Sequence, residues 1–254
     1  MTDLHCHILP GVDDGPVNLR ESLLLLQSTY ESGVKNIVFT CHFNCEEMSI
    51  SDFIERRNAS FTRLQKAVAC CSQLSGNMHF KLGAEVRYSP NLKDYDLRPL
   101  CFTNTDYLLL ELPSDHMVYY FNNIIFEMRI QGIIPLMAHI ERYLYVMDHL
   151  PTLYHWVQKG LLIQANAGTL LEKTKTSKLI LKLIQWNLVH VLSSDAHSLD
   201  KRPQNLAKGL SVVRSRLGHA EAERLIFNGE SIFNGSALLP ENIYCPRKIL
   251  GRWR

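Results

Sequence analysis

Short apolar runs rich in β-branched residues alternate along this chain with longer segments that have helical spacing. The runs predict seven strands, at residues 3–9, 34–40, 79–86, 106–112, 133–138, 161–166 and 188–194. The helical segments lie between them, at residues 17–32, 51–75, 116–131, 147–159, 173–186 and 203–217. Such alternation predicts an α/β fold with a parallel sheet and crossover helices. Seven units without a break in composition favour a closed or nearly closed barrel, so we expect a single domain over residues 1–254.

The end of the chain departs from this pattern. The segment PRKILGRWR, at 246–254, carries Arg247, Lys248, Arg252 and Arg254. We predict a basic tail from about residue 240, solvated or loosely packed against the barrel. The alternative is a docking element for a partner or an anionic surface.

Composition narrows the class of protein without naming a partner. The 254 residues are 46% hydrophobic and 20% charged with a net charge of +2, which does not imply nucleic acid or an acidic membrane. No run approaches the roughly 18 apolar residues of a membrane helix, so we expect no membrane insertion. Seven cysteines without a CxxC predict neither a disulfide framework nor a zinc ribbon. We therefore expect a cytoplasmic protein, and the oligomeric state stays open.

Candidate chemistry begins in the first strand, TDLHCHILPGVDDGP. Residues i and i+2 of a strand share a face, so His5 and His7 form a chelating pair, followed by Asp13 and Asp14 on a turn. A His-x-His pair alone is weak support for a metal site. Asp13 has a simpler explanation as a turn residue.

Similar residues stand at the ends of six of the seven predicted strands. In parallel barrels the active site lies at the carboxyl ends of the strands, and burying imidazoles and carboxylates there is costly unless they are paired or bind metal. The candidate metal ligands are His5, His7, Asp14, His42, Glu85, Glu111, His139, Asp195 and His197. Their common placement predicts a metal centre.

The number of donors predicts more than one ion. Zinc or manganese takes four to six donors, so nine groups imply two or three ions with a bridging carboxylate. Imidazole and carboxylate without thiolate suit manganese, iron or zinc. Three divalent ions would exceed the charge of the four carboxylates by about +2, which a hydroxide and an anionic substrate would balance, and phosphate is the natural candidate.

At this point the motifs resemble a known group. DLHCHILPGVDDGP, GAEVRY, AHIERY and SSDAHS are similar to the polymerase-and-histidinol-phosphatase (PHP) superfamily, in particular its CpsB/CapC branch of manganese-dependent tyrosine phosphatases from bacterial capsule and exopolysaccharide operons. The resemblance runs to about residue 205. It implies a distorted (β/α)7 TIM-like barrel carrying three ions, with Mn2+ expected and iron or zinc as alternatives.

The resemblance also implies a role for each matching residue. The first ion would be held by His5, His7, Glu85 and Asp195. The second would be held by Glu85, as a bridge, with Glu111 and His139. The third would be held by Asp14, His42 and His197. The catalytic residues Arg142 and Arg202 would face the phosphate. The implied partner is the phosphotyrosine tail of a membrane-associated, autophosphorylating kinase that governs polysaccharide assembly.

One position departs from the family pattern, since TCHF has Cys41 where the family usually has proline. The backbone there loses a fixed φ and gains an N–H. The expected chemistry does not use this thiol, because a metal-activated hydroxide would attack phosphorus while the two arginines stabilise the transferring oxygens. None of the seven cysteines has an arginine six positions later, so the Cys-x5-Arg loop of cysteine-based tyrosine phosphatases is absent.

Three other functions remain open from the sequence. The first is another PHP phosphomonoesterase of the histidinol-phosphatase type, which the VDDG turn and AHIERY disfavour. The second is a TatD-like metal-dependent nuclease, which near-neutral charge and the pairing of Asp14 with His197 disfavour. The third is a degenerate barrel kept as a binding module, which a complete ligand set disfavours.

Overall fold

The computed structural model describes residues 1–239, 242–249 and 252–253. Its centre is a parallel sheet with seven strand positions. Two of these positions are each broken into two short strands, a lower piece that comes first in the chain and an upper piece at the carboxyl end. The unbroken strands are β1 (Thr2–Cys6), β6 (Tyr107–Glu111), β7 (Ile134–Met137), β8 (Leu162–Asn166) and β9 (Val191–Ser193). The broken positions are β2 (Asn36–Phe39) with β3 (His42–Phe43), and β4 (His79–Leu82) with β5 (Glu85–Arg87).

The sheet closes on itself. The lower pieces pair in the order β1-β2-β4, and the upper pieces join β6 to β9 in the order β3-β5-β6-β7-β8-β9. Backbone bonds from His7 N to Ala196 O and from Asp195 N to His5 O, both 2.9 Å, connect the end of β1 to the end of β9. The predicted closed parallel barrel is confirmed.

Between β4 and β5 the backbone passes close to Phe102 at Gly83. A Cβ at this position would lie 2.6 Å from the Phe102 ring, so only glycine lets the strand pass. The carbonyl of Gly83 instead accepts a hydrogen bond from the buried Arg57 side chain at 2.9 Å. Beyond the break, β5 pairs with β3 in a register that sets Glu85 opposite His42.

Helices surround the barrel and bury their apolar faces on it. The helices are α1 (Leu19–Glu31), α2 (Ile50–Ala69), α3 (Phe121–Ile130), α4 (Leu144–Met147), α5 (Leu150–Gln158), α6 (Lys175–Gln185), α7 (Leu206–Leu217) and α8 (His219–Phe233). Side chains of Asn18, Ser49 and Thr174 cap α1, α2 and α6 by accepting hydrogen bonds from backbone amides in the first turn. Among the described helices, none has the length and apolarity needed to cross a bilayer.

Two elements differ from the sequence predictions. Helix α8 was not predicted, because the helical pattern ends at Gly218, whose φ of +104° separates α7 from α8. This helix packs on β1 and β9, where the barrel closes.

The described part of the basic tail contains a short strand pair, although Arg247 and Lys248 are exposed. Strands β10 (Lys248–Ile249) and β11 (Arg252–Trp253) form an antiparallel pair. Tyr244 N donates to Trp186 O at 3.1 Å, which ties the segment to the end of α6. The predicted tail also includes Pro240, Glu241, Leu250, Gly251 and Arg254, which lie outside the described residues.

Candidate metal centre

All nine predicted donors meet at the carboxyl ends of the barrel strands. Six of them are almost completely buried, namely His5, His7, Glu85, His139, Asp195 and His197. The others line the opening, where Asp14 is the most exposed and His42 is 38% exposed in its side chain. A closed parallel barrel brings strand ends together, so residues up to 192 positions apart in the sequence share one site.

The deepest group of donors surrounds the Nε2 atoms of His5 and His7, which lie 3.1 Å apart. Glu85 Oε2 lies 3.2 Å from the first nitrogen and 3.1 Å from the second. Asp195 Oδ1 lies 3.3 Å from His5 Nε2 and 3.6 Å from His7 Nε2. Four lone-pair atoms thus converge on one point.

A second group forms around the other oxygen of Glu85. His139 Nε2 lies 2.8 Å from Glu85 Oε1 and 3.2 Å from Glu111 Oε1. His42 Nδ1 lies 3.0 Å from Glu85 Oε2, which also places it with Glu85 and Glu111. Because each oxygen of Glu85 faces a different group, this carboxylate has the position of a bridge.

The third group lies nearer to solvent. Asp14 Oδ1 lies 3.1 Å from His197 Nε2 and 3.4 Å from His42 Nε2. His7 belongs to this group as well as to the deepest one, and its ring stacks on that of His197 at 3.9 Å. The groups are therefore contiguous, and His7 and His42 link them.

Buried polar atoms without a hydrogen-bond partner indicate which kind of ligand these groups can bind. Glu85 Oε2, Asp195 Oδ1 and His197 Nε2 are buried without a hydrogen-bond partner. Such atoms are costly inside a protein unless a ligand satisfies them. All three face the donor groups described above, and mixed imidazole and carboxylate donors suit divalent transition ions. The residues present therefore fit a cluster of such ions.

The shifted pKa values of the site also indicate that it suits cations. Burial raises the pKa of the Glu85 carboxyl, but His5 and His139 outweigh it and hold the pKa well below its usual range. Burial lowers the pKa of His7, yet Asp13 and Glu85 outweigh it and raise the pKa to about 10. Bound cations would replace the protons on these imidazoles, so metal binding should release protons.

Asp13, which the sequence assigned to the turn, has a second role. Its Oδ1 accepts from Gly15 N at 3.1 Å, which is the turn contact. Its Oδ2 accepts from His7 Nδ1 at 2.7 Å and from His42 N at 3.1 Å. A carboxylate on the far nitrogen of a metal-binding imidazole fixes the tautomer and the orientation of the ring.

Strand β8 offers no predicted ligand, but its polar side chains hold the ligands of its neighbours. Gln164 Oε1 accepts from His139 N at 2.6 Å and from His5 Nδ1 at 3.2 Å. Gln164 Nε2 donates to Asn166 Oδ1 at 2.8 Å, and Asn166 Nδ2 donates to Asp195 Oδ2 at 2.9 Å. Polar and apolar residues alternate in Gln164, Ala165 and Asn166, and this pattern could have indicated that the two amides share one face of the strand.

Two of the candidate ligands have left-handed backbone conformations. His139 has φ +31° and Asp195 has φ +54°, which are uncommon for residues with a Cβ. Each lies two residues beyond the end of a barrel strand, and the bonds to Gln164 and from Asn166 hold them in place. Strain of this kind is typical of functional sites.

The two predicted catalytic arginines converge on one atom. Arg142 Nη2 and Arg202 Nη2 lie 2.5 Å and 2.6 Å from Asp195 Oδ2. Arg202 also lies 3.6 Å from Asp14 Oδ2, and Arg142 lies 3.8 Å from Glu111 Oε1. About a third of each side chain is exposed, so both guanidinium groups border the opening while they contact ligand carboxylates.

Comparison with known proteins identifies relatives over the whole chain. The family model described as "Capsular polysaccharide synthesis, CpsB/CapC" matches residues 1–234. A Staphylococcus aureus protein named CapC is 30% identical, and the Bacillus subtilis tyrosine-protein phosphatase YwqE is 28% identical, each over 99% of both chains. A chain from the crystal structures of YwqE from B. subtilis and CpsB from Streptococcus pneumoniae, metal-dependent tyrosine phosphatases, superimposes with a TM-score of 0.84. It is 26% identical and the match covers 96% of this chain and 98% of that one.

Proposed function

Since the chain belongs to the CpsB/CapC family of capsular polysaccharide synthesis, we propose that it dephosphorylates the tyrosine-rich tail of a membrane-associated kinase that regulates this synthesis. The chain is a metal-dependent tyrosine-protein phosphatase. The proposal extends that activity to one class of substrate, to Mn2+ as the metal, and to the cytoplasm as the place of action. All seven cysteines are free, which agrees with a reducing compartment.

The observation that carries the assignment of the site is the set of unsatisfied acceptors within the donor groups. Glu85 Oε2 and Asp195 Oδ1 have no hydrogen bond in a place where four donor atoms converge. We assign His5, His7, Glu85 and Asp195 to the first ion. We assign Glu85, Glu111 and His139 to the second ion, and Asp14, His42 and His197 to the third. When bound, the ions supply Lewis acidity that lowers the pKa of water and offsets phosphate charge.

The residues of the chain supply the remaining steps. Arg142 and Arg202 both contact Asp195 Oδ2 and can each bind a phosphate oxygen in a charge-assisted hydrogen bond. They would orient the phosphomonoester and stabilise the charge that develops on its oxygens. Asp13 and Gln164 keep the imidazoles in position, which limits reorganisation during the reaction.

The position of the site supports a protein substrate. The centre opens at the rim of the barrel, where the side chains of Asp14 and His42 are 60% and 38% exposed. A phosphotyrosine carries its phosphate at the end of a long rigid side chain, so it can reach such a site from an extended tail.

The test compares substrates and metals on the same preparation. Protein stripped with a chelator and reloaded with Mn2+, Fe2+ or Zn2+ is assayed on a phosphotyrosine peptide, on histidinol phosphate and on DNA. We expect no activity without metal, recovery with Mn2+ and a preference for the phosphotyrosine peptide. Full activity of metal-free protein would overturn the metal assignment. Faster turnover of histidinol phosphate or DNA would overturn the substrate assignment.

A further inference from the structure

Charge is unevenly distributed along this nearly neutral chain. The segment 173–218 holds nine lysines and arginines and only two acids, Asp195 and Asp200. Asp195 is buried in the metal centre, so it adds no acid to the outer surface. Because the whole chain has a net charge of +2, the remaining residues are net acidic. Such asymmetry is informative about partners even when the total charge is not.

The excess positive charge lies on two neighbouring helices that contain no Asp or Glu. On α6, Lys175, Lys178 and Lys182 are exposed on one side while the apolar residues pack on the barrel. On α7, the exposed cations are Lys208, Arg214 and Arg216. The two helices pack against each other, so their cations form one continuous surface, which we call the basic face.

A groove of about 450 Å³ runs between the two helices. Lys173, Lys178 and Arg216 line its sides, and Leu181 and Val212 contribute apolar surface. Among the described lining residues, Glu172 is the single acid. Elsewhere on the basic face, Arg214 pairs with Glu223 of α8 at 2.9 Å. Two carboxylates therefore offset only a small part of the charge.

The C-terminal strand pair extends the basic face beyond the end of α6. Lys182 Nζ donates to Trp253 O at 2.7 Å and lies 5.7 Å from the Trp186 ring. Lys248 Nζ lies 5.3 Å from the Trp253 ring, and Arg247 beside it is exposed. Both indoles are partly exposed, whereas the third tryptophan, Trp156, is buried in the core. Lysines next to partly exposed indoles are typical of surfaces that meet the headgroup region of a bilayer.

We propose that the basic face docks the protein on a bilayer that contains anionic lipids. The face carries long, exposed cations around an apolar groove, and the hydroxyl of Ser177, the buried polar side chain in the described lining, already bonds to the Thr174 backbone. Such an arrangement suits a diffuse anionic surface, where each basic residue near the headgroups adds to the attraction. The helices flank the barrel, so docking on their outer sides leaves the metal centre open at the barrel rim.

The test measures binding of the full chain to vesicles by co-sedimentation. Vesicles of phosphatidylcholine alone are compared with vesicles that contain phosphatidylglycerol, at low and at high salt. We expect binding only to the anionic vesicles, with loss at high salt because the attraction is screened. The triple variant Lys175→Glu, Lys178→Glu, Lys182→Glu should bind at least 10-fold more weakly.

A matched triple variant controls for net charge. Lys35, Arg63 and Lys66 are exposed elsewhere on the barrel, and their replacement by Glu removes the same charge while it leaves the basic face intact. This control should bind anionic vesicles within about threefold of the parent. Equal losses in both triple variants, or no binding of the parent to anionic vesicles, would overturn the proposal. Binding of the parent to a soluble acidic polypeptide or to DNA, but not to vesicles, would also overturn the proposal.

Activity on a soluble phosphotyrosine peptide separates this proposal from the proposed function. None of the six substituted residues belongs to the metal centre, so both triple variants should turn over the peptide at the parent rate. Loss of vesicle binding with full peptide turnover supports a separate docking surface. Full vesicle binding without peptide turnover would contradict the proposed function alone.

Discussion

Asp13 accepts a hydrogen bond from Nδ1 of His7 at 2.7 Å, and this contact determines that His7 Nε2 faces the metal centre. We predict that Asp13→Ala weakens metal binding by about 10- to 100-fold, the usual effect of removing a carboxylate behind a metal-binding histidine. Metal titration of the stripped protein, followed by phosphatase activity, measures the change. Asp115→Ala removes an exposed carboxylate and serves as the control. Parent-like metal affinity in Asp13→Ala would contradict the role of this contact.

Gln164 joins two ligands through a single oxygen, since His139 N and His5 Nδ1 both donate to its Oε1. Gln164→Leu should lower the free energy of unfolding by about 1–3 kcal/mol, because a buried donor loses its partner. Activity should fall as well, since His139 would lose its support. Gln164→Glu keeps the acceptor and should retain more metal than the leucine variant. Urea unfolding and metal content test this, and equal behaviour of the two variants would argue against the hydrogen bond.

Arg142 and Arg202 bind the same carboxylate oxygen, so their effects on catalysis should not be independent. Each alanine variant should lower kcat/KM by about 100-fold, as expected for the loss of one strong donor to the transferring phosphate. Metal content should stay near the parent level, because Asp195 keeps Oδ1 toward the first ion. The double variant should fall short of the product of the two single effects, as residues that share a partner usually do. Parent-rate turnover by Arg142→Ala would exclude it from phosphate binding.

The barrel and the meeting of the donors could be predicted, because parallel strands end at one face whatever their sequence. The prediction of His42, Glu111 and His139 as candidate ligands required only that each of them follows an apolar run. The contacts behind the donors could not be predicted in this way. Asp13 has an ordinary explanation in its turn, and Gln164 is a neutral amide, a residue type that does not by itself indicate a metal site. The convergence of two arginines on Asp195 depends on loop conformations, including the left-handed backbone of Asp195 itself.

Cys41 is buried directly before the candidate ligand His42. Burial raises the pKa of its thiol well above the usual value, and Asp13 beside it acts in the same direction. A thiol held in its neutral form is a poor nucleophile. Cys41→Ser should therefore retain most of the phosphatase activity, with metal content unchanged. If this variant lost turnover while its metal stayed bound, a thiol mechanism would have to be considered.

His190 provides a prediction about stability that is separate from catalysis. Its side chain is buried, and Nδ1 accepts a hydrogen bond from Ile163 N at 3.0 Å, which requires the neutral ring. Burial and the nearby Arg224 lower the pKa of His190 to about 3. In the unfolded chain the pKa is about 6.5, so at pH values between the two the unfolded state binds a proton that the folded state does not. The contribution of His190 to stability is therefore present above about pH 6.5 and decreases as the pH falls toward 3.

Replacement of His190 by asparagine removes this titration and keeps an acceptor for Ile163 N. Between pH 7.5 and pH 5, the free energy of unfolding of the parent should fall by about 2 kcal/mol relative to that of His190→Asn. Urea unfolding of both proteins at the two pH values, with excess chelator, measures the shift. Chelator and the shared ligand histidines affect both proteins alike, so their contributions cancel in the difference. A pH-independent difference would mean that His190 is protonated in the fold and that the Ile163 contact is not maintained.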